Sequence, residues 1–316
     1  MTLSVHSVLL QVPAAADGAT EIPLTIIQGA LPGPTLALIA GNHGYEYPPI
    51  LALQRLRAAI DPAALSGAIL MVHVANMPSF LGRTVYFSPV DGKNLNRVYP
   101  GRPDGTVSER IAHVITTQVV EKADYLIDLH CGDGNESLRP YVYQTITGDP
   151  AMNASIARLA LAFGLDHILL DRNRPTDPAR SLYCSTTAIT RGKPAITIEA
   201  GFLGTTDEAS VQQVVTGVLG VLRELKMLES GPPAVETPVF LDPNAVIASP
   251  ATGILYPQVE RGQQVTEGDV LAFITDFFGE RIAEVASPLS GEVLYIVATP
   301  PITKGQPVGC VAAHAT

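Results

Sequence analysis

Three short apolar runs, each ending in a polar residue with usable chemistry, set the pattern of this chain. Residues 35–40 lie between Pro34 and Gly41, residues 124–129 run into His130, and residues 194–198 run into Glu199. Unbroken apolar runs of this length, bounded by Gly and Pro, read as strands buried on both faces of a parallel sheet. Between them the spacing turns helical over 47–60, over 106–122 behind the capping box Thr106-Val-Ser-Glu109, and over 150–163, 181–191 and 207–228. Further strands are expected at 68–74, 141–146 and 167–170, and 4–12 with 21–27 read as an antiparallel edge to the sheet. Residues 78–105 form a long loop, and loops of that length in compact domains are usually functional.

The character changes at Glu229-Ser-Gly-Pro-Pro-Ala234. Beyond this linker come short β-prone runs punctuated by glycine, with an internal near-repeat. Ser249-Pro-Ala-Thr-Gly253 and Gly262-Gln-Gln-Val265 are echoed by Ser287-Pro-Leu-Ser-Gly291 and Gly305-Gln-Pro-Val308. Two similar halves imply a small β-sandwich with pseudo-two-fold symmetry. The expected division is 1–230, a linker at 231–236, and an all-β domain at 237–316.

Composition narrows the function. Charged residues make up 16% and hydrophobic ones 47%, which describes a globular chain, and no apolar run approaches the about 18 residues that span a bilayer. A net charge of −10 with no cluster of Lys or Arg argues against nucleic-acid and anionic-membrane partners and for small-molecule chemistry. Three widely spaced cysteines do not make a disulfide framework. With no basic stretch ahead of an apolar N-terminal core, a cytoplasmic location is expected. Assembly into a homo-oligomer is compatible with this composition.

The chemistry gathers at the strand ends. Ligands of open α/β sheets bind outside the carboxyl ends of the strands, where Gly41-Asn-His-Gly-Tyr-Glu46 places His43 and Glu46, where Asp128-Leu-His130 places His130, and where Glu199 ends the third run. Catalytic zinc keeps three protein ligands and one open position, with a further carboxylate free to act as general base. His43, Glu46, His130 and Glu199 suit that plan. Cys131 follows His130 directly, but neighbouring strand residues face opposite ways, so it is expected to be a buried thiol.

These stretches, with Asn94-Leu-Asn-Arg-Val-Tyr-Pro-Gly101, resemble the succinylglutamate desuccinylase/aspartoacylase family, relatives of the zinc carboxypeptidases, over residues 35–230. The resemblance implies an α/β fold, a mixed sheet flanked by helices, and the repeated segment after the linker separately resembles a biotinyl/lipoyl-type sandwich. It implies one zinc ion per chain on His43, Glu46 and His130, with Glu199 as catalytic glutamate. Arg83 would polarise the scissile carbonyl, and Asn96 with Arg97 would hold a substrate carboxylate. Tyr45 stands where the family has Asn or Asp, and Asn94 where aspartoacylase has Asp. After the linker the lone lysine, Lys304, lies outside the 275–279 hairpin where such modules carry their cofactor, so a carrier role is not expected.

The expected function is therefore zinc-dependent hydrolysis of the amide of an N-acyl amino acid. A carboxypeptidase-like peptidase would share every catalytic residue and differ in access, which a β-domain over the mouth would restrict. A non-catalytic binding protein with an inherited site is the third reading, and the complete His, Glu, His and Glu set speaks against it. The loop 172–180, with arginines 172, 174 and 180, either borders the pocket or is solvated, and solvation is the favoured reading because loops are mostly surface.

Overall fold

A computed structural model describes residues 4–315. In chain order the first part contains β1 (Ser4–Ala15), β2 (Gly18–Gln28), β3 (Leu31–Ala40), α1 (Tyr47–Ala59), β4 (Ser66–Val72), α2 (Met77–Gly82), α3 (Val107–Gln118), β5 (Tyr125–His130), β6 (Glu136–Leu138), β7 (Tyr141–Thr145), α4 (Pro150–Phe163), β8 (His167–Asp171), α5 (Cys184–Ile189), β9 (Ala195–Glu199) and α6 (Glu208–Glu224). Then follow β10 (Val239–Ala248), β11 (Gly253–Pro257), β12 (Gln264–Val265), β13 (Val270–Thr275), β14 (Arg281–Ala286), β15 (Gly291–Val297), β16 (Pro301–Ile302) and β17 (Pro307–His314).

The apolar runs form the middle of one large mixed sheet, ordered β1-β2-β4-β3-β5-β9-β7-β8-β10-β17-β15-β12. β4, β3, β5 and β9 run parallel, and their side chains are almost wholly buried because helices cover both faces. The β1–β2 hairpin closes one edge antiparallel, as expected for those β-prone segments. α3, α4 and α6 are capped by side chains at their N-termini, whereas α1 starts after Glu46 with no side-chain cap and a proline in its first turn. Thr106 and Glu109 form a capping box, and Asp149 and Asp207 accept hydrogen bonds from Ala151 N and Ser210 N.

Three elements differ from the sequence pattern. The helix expected over 181–191 is confined to Cys184–Ile189, because Leu182 adopts a left-handed φ of 63° and exchanges both backbone hydrogen bonds with Tyr99. The helix from 207 stops at Glu224. Lys226 turns left-handed, and the Met227 carbonyl accepts from Ser66 N beside β4. The 78–105 loop begins within α2 and tightens into a 3₁₀ turn at Leu95–Arg97.

After residue 237 the chain first extends the central sheet. β10 pairs parallel with β8, and β17, β15 and β12 follow antiparallel. A separate four-stranded antiparallel sheet, β14-β13-β11-β16, packs against these strands through Leu255, Ile274, Val285, Val293, Ile296 and Val311. The near-repeat is visible atom by atom. Ser249 Oγ donates to Ala251 O and Ser287 Oγ to Leu289 O, each at 2.7 Å.

Candidate metal centre

The site lies where β3, β5 and β9 end. Gly41 takes a φ of +72° to turn the chain out of β3, and an added Cβ at Gly44 would sit 2.2 Å from the Ser79 carbonyl oxygen, so α2 can approach only a glycine here. Between them His43 is turned inward, and Glu46 stands at the start of α1. In the parallel register His130 lies opposite Glu199, which in turn lies opposite Tyr141 of β7, so the three share one line across the sheet.

His43, Glu46 and His130 are buried and converge, one ligand atom from each lying within 4.8 Å of the others. Glu46 Oε1 is 2.7 Å from His43 Nδ1, and Glu46 Oε2 is 2.9 Å from His130 Nδ1. The second oxygen makes no hydrogen bond despite that approach. Burial disfavours charge on all three groups, yet the two imidazoles hold the Glu46 carboxyl down to about 2, and the neighbouring carboxylates raise both imidazoles above their ordinary range. Two imidazoles and an orphaned carboxylate oxygen facing one point form a place for positive charge. This donor set fits a divalent cation, zinc included.

Each imidazole is oriented from its far side. His130 Nε2 lies 3.0 Å from Asp128 Oδ1, and His43 Nε2 lies 3.1 Å from Asn94 Oδ1. Asp128 also accepts from Asn42 Nδ2 at 2.7 Å, and Asn42 Oδ1 from Tyr99 OH at 3.0 Å. With Nε2 protonated toward Asp128, Nδ1 of His130 turns a bare lone pair to the centre, the arrangement that orients metal-bound histidines. Asn42, Asn94, Asp128 and Tyr99 were not among the sequence candidates. Asp128 had a signal, since a residue two before His130 on a strand shares its face.

Glu199 is half-buried at the end of β9, and its Oε2, itself shielded from solvent, has no hydrogen-bond partner. Burial, together with the carboxylates of Glu46, Glu136 and Asp128, raises its proton affinity well above an ordinary glutamate, against the pull of His130. Asn96 is buried with its amide occupied: Nδ2 faces Asp128 and His130, and Oδ1 accepts from Cys184 N at 2.8 Å. Arg97 is exposed, bonded through Nη1 to its neighbour's carbonyl, and lies 4.7 Å from the Tyr183 ring centre. Arg83 contributes no atom to the candidate metal-binding group. It sits left-handed at the end of α2, exposed, beside a cavity of about 610 Å³ lined by Tyr45, Tyr47 and Phe80, and its guanidinium has no hydrogen-bond or ion-pair partner among the described residues.

An acid pair absent from the sequence reading, Asp133 buried and Glu136 half-buried, completes the surroundings. Asp133 accepts from Tyr86 N at 2.9 Å, and Glu136 accepts from Tyr86 OH at 2.7 Å and from Asp133 N at 3.1 Å. Burial lifts Asp133 to about 6 and Glu136 to about 7. These bonds hold Tyr86, at φ 58°, edge-on to His43 with ring centres 6.3 Å apart. Cys131 is a buried free thiol.

Fold and site together define a hydrolase architecture whose strand-end His, Glu and His could hold a metal ion. The chain belongs to the succinylglutamate desuccinylase/aspartoacylase family, whose catalytic domain matches residues 32–225. It is 32% identical over 286 residues, 87% of this chain and 81% of the relative, to an N-alpha-acetyl-L-2,4-diaminobutyric acid deacetylase of Halomonas elongata. The product-bound structure of an ectoine utilization protein from Ruegeria pomeroyi is 28% identical, with a TM-score of 0.87 over 99% of this chain and 97% of that one. A family structure from Rhodobacter sphaeroides is 25% identical, with a TM-score of 0.86 over 99% and 96%. Among the described residues, no helix is long and apolar enough to cross a membrane.

Proposed function

We propose that this protein is a zinc-dependent amidohydrolase that releases the acyl group from an N-acyl amino acid, with zinc on His43, Glu46 and His130. The observation that carries the reading is the Glu46 carboxylate set between two imidazoles, with Glu199 opposite His130 on the neighbouring strand. The deacetylase relative supports an N-acetylated diamino acid as the first substrate to try.

Zinc bound there supplies Lewis acidity, which makes water acidic near neutral pH and polarises a carbonyl. The rest falls to the chain's own groups. Glu199 takes the proton of the attacking water and returns it to the leaving amine, a task suited to a carboxylate whose proton affinity is raised by its surroundings. Asp128 and Asn94 hold the two imidazoles in orientation. Arg97 takes the substrate carboxylate, and Asn96, its amide engaged with Asp128 and Cys184, fixes the turn that carries Arg97. Arg83 has an unpaired guanidinium to offer the developing oxyanion.

We assign this chemistry to residues 1–230 and a bracing role to 237–316. Three buried free cysteines fit a reducing cytoplasm. The test is hydrolysis by zinc-loaded protein of a panel containing N-acetyl-2,4-diaminobutyrate, N-acetylaspartate, N-succinylglutamate and short peptides. Release of amine from at least one N-acyl amino acid, lost on chelation and restored by zinc, is expected. Cleavage confined to peptides would replace the deacylase with the peptidase.

A further inference from the structure

Two arginines address one tyrosine ring at this site, and the second comes from a loop whose sequence reads as solvated. Arg174 follows β8 and reaches back over the sheet end. Its guanidinium carbon lies 4.0 Å from the ring centre of Tyr183 and 5.3 Å from that of Tyr143. Arg97 approaches the same Tyr183 ring at 4.7 Å. Tyr143 and Tyr141 meet hydroxyl to hydroxyl at 2.9 Å, and Tyr141 lies opposite Glu199 in the sheet register. Tyr183 thus joins Arg97, next to the Asn96–Asp128–His130 side of the site, to Arg174, next to its Glu199 side.

Arg174 is built as a fixed donor. Its side chain is 15% exposed, against 54% for Arg172 two residues earlier, whose ion pair with Asp242 points away from the site. Its Nε is tied to Asp171, while its two terminal amino groups have no partner among the described residues. Arg97 is arranged alike, with Nη1 bound to the Asn96 carbonyl and its other nitrogens open. An arginine anchored through one nitrogen and packed on aromatic faces has lost its side-chain entropy before a ligand arrives, so its remaining N–H groups form a preorganised fork for a carboxylate.

We infer that Arg174 is a second substrate-binding arginine, which with Arg97 grips the carboxylate of the amino-acid half of the substrate across the Tyr183 ring. The inference rests on the deacylase reading for the reaction, but not for the contact. On a chain of net charge −10 a carboxylate needs concentrated local positive charge. Arg97 alone is an exposed side chain, of the kind whose single contacts are worth little, whereas the buried partner supplies direction.

The experiment compares N-acetyl-2,4-diaminobutyrate with its primary carboxamide, on wild type and on Arg174→Gln and Arg174→Lys, at matched zinc content. For the acid, Arg174→Gln should raise KM at least about tenfold while kcat stays within about threefold, and Arg174→Lys should recover little. For the carboxamide, wild type should show the same rise and Arg174→Gln little further change, since both alterations remove one contact. Equal losses by the variant on acid and carboxamide, or a loss in kcat alone, would overturn the assignment. Calorimetric binding of 2,4-diaminobutyrate and of its carboxamide to zinc-loaded wild type and variant reads the contact without turnover. If the panel shows no hydrolysis, the proposed reaction fails while calorimetry still judges Arg174. Wild type that binds acid and carboxamide equally, or neither, removes the arginine from that role.

Discussion

Asp128 and His130 stand two residues apart on one strand, and a carboxylate oxygen of the first lies 3.0 Å from Nε2 of the second, on the far side of the imidazole from Glu46. Asp128→Asn would present an amide that can donate to Nε2, stabilising the tautomer whose proton sits on Nδ1 and blocks that atom as a ligand. Metal affinity should fall about 10- to 100-fold, as loss of such an outer partner typically causes. Competition with a graded series of chelators measures it, and an unchanged midpoint would show that Asp128 does not set the tautomer.

Glu199→Gln separates binding from chemistry. The amide keeps the size of the side chain and cannot take a proton, so zinc content and thermal midpoint should hold while kcat falls by about 10² to 10⁴. A variant with near-normal kcat would remove Glu199 from proton transfer.

The parts of this site that were legible in the sequence are those with short-range signals. An apolar run marks its own strand, and the polar residue that ends it is delivered to the ligand edge of the sheet whatever the order of the strands, which is why His43, His130 and Glu199 could be placed together before any topology was known. Tyr86, Asp133 and Glu136 had no such signal, because they meet only through a loop-to-loop contact between residues about fifty apart. The repeat within residues 249–308 was also visible. That β10 would continue the central sheet was not, since a half-exposed strand carries no record of its partner. Arg174 was misjudged for a related reason. Its loop is polar by composition, and only the positions of Asp171, Tyr143 and Tyr183 reveal that this one arginine of the three is drawn in.

Glu136 should leave a mark on stability. Its folded carboxyl titrates at about 7, above the ordinary 4.5, so between those values the folded protein holds a proton that the unfolded chain has released. By linkage, stability falls as pH rises through this window and levels off above about 7; a raised carboxyl favours the fold at low pH. In Glu136→Gln this contribution disappears, and the slope of unfolding free energy against pH between 5 and 7 should become less negative by up to about 1.4 kcal/mol per pH unit. Urea titrations of chelator-treated protein at several pH values give the slope. Parallel curves for wild type and variant would mean that Glu136 is not held protonated.

The C-terminal strands are expected to brace the site, and cutting them away tests this against a role as a cover. β15 pairs with β6, setting Val297 opposite Glu136, and Ala298 N donates to Asn135 O at 2.9 Å, so the loop that bears the acid pair is pinned from the far side of the linker. Leu241, Leu294 and Cys310 bury Leu138, Tyr141 and Leu169. Glu292 reaches Arg139 Nε at 2.7 Å and His167 Nε2 at 3.3 Å, joining the two parts of the chain through a mostly buried ion pair. Removing residues 237–316 would uncover those apolar side chains and leave Arg139 only its exposed partner Asp166, and each fully buried side chain of that kind is worth about 1.5 to 3 kcal/mol. The truncated chain should therefore fail to fold cooperatively, and should not emerge as a stable enzyme with wider access. The milder change Glu292→Gln keeps the volume but removes the buried carboxylate, leaving Arg139 only its exposed ion pair with Asp166. It should lower stability by about 1 to 3 kcal/mol, seen as a fall of several degrees in Tm, with kcat nearly unchanged. A truncated protein that melts like the full chain and turns over longer peptides would show that these strands screen the mouth and do not brace it.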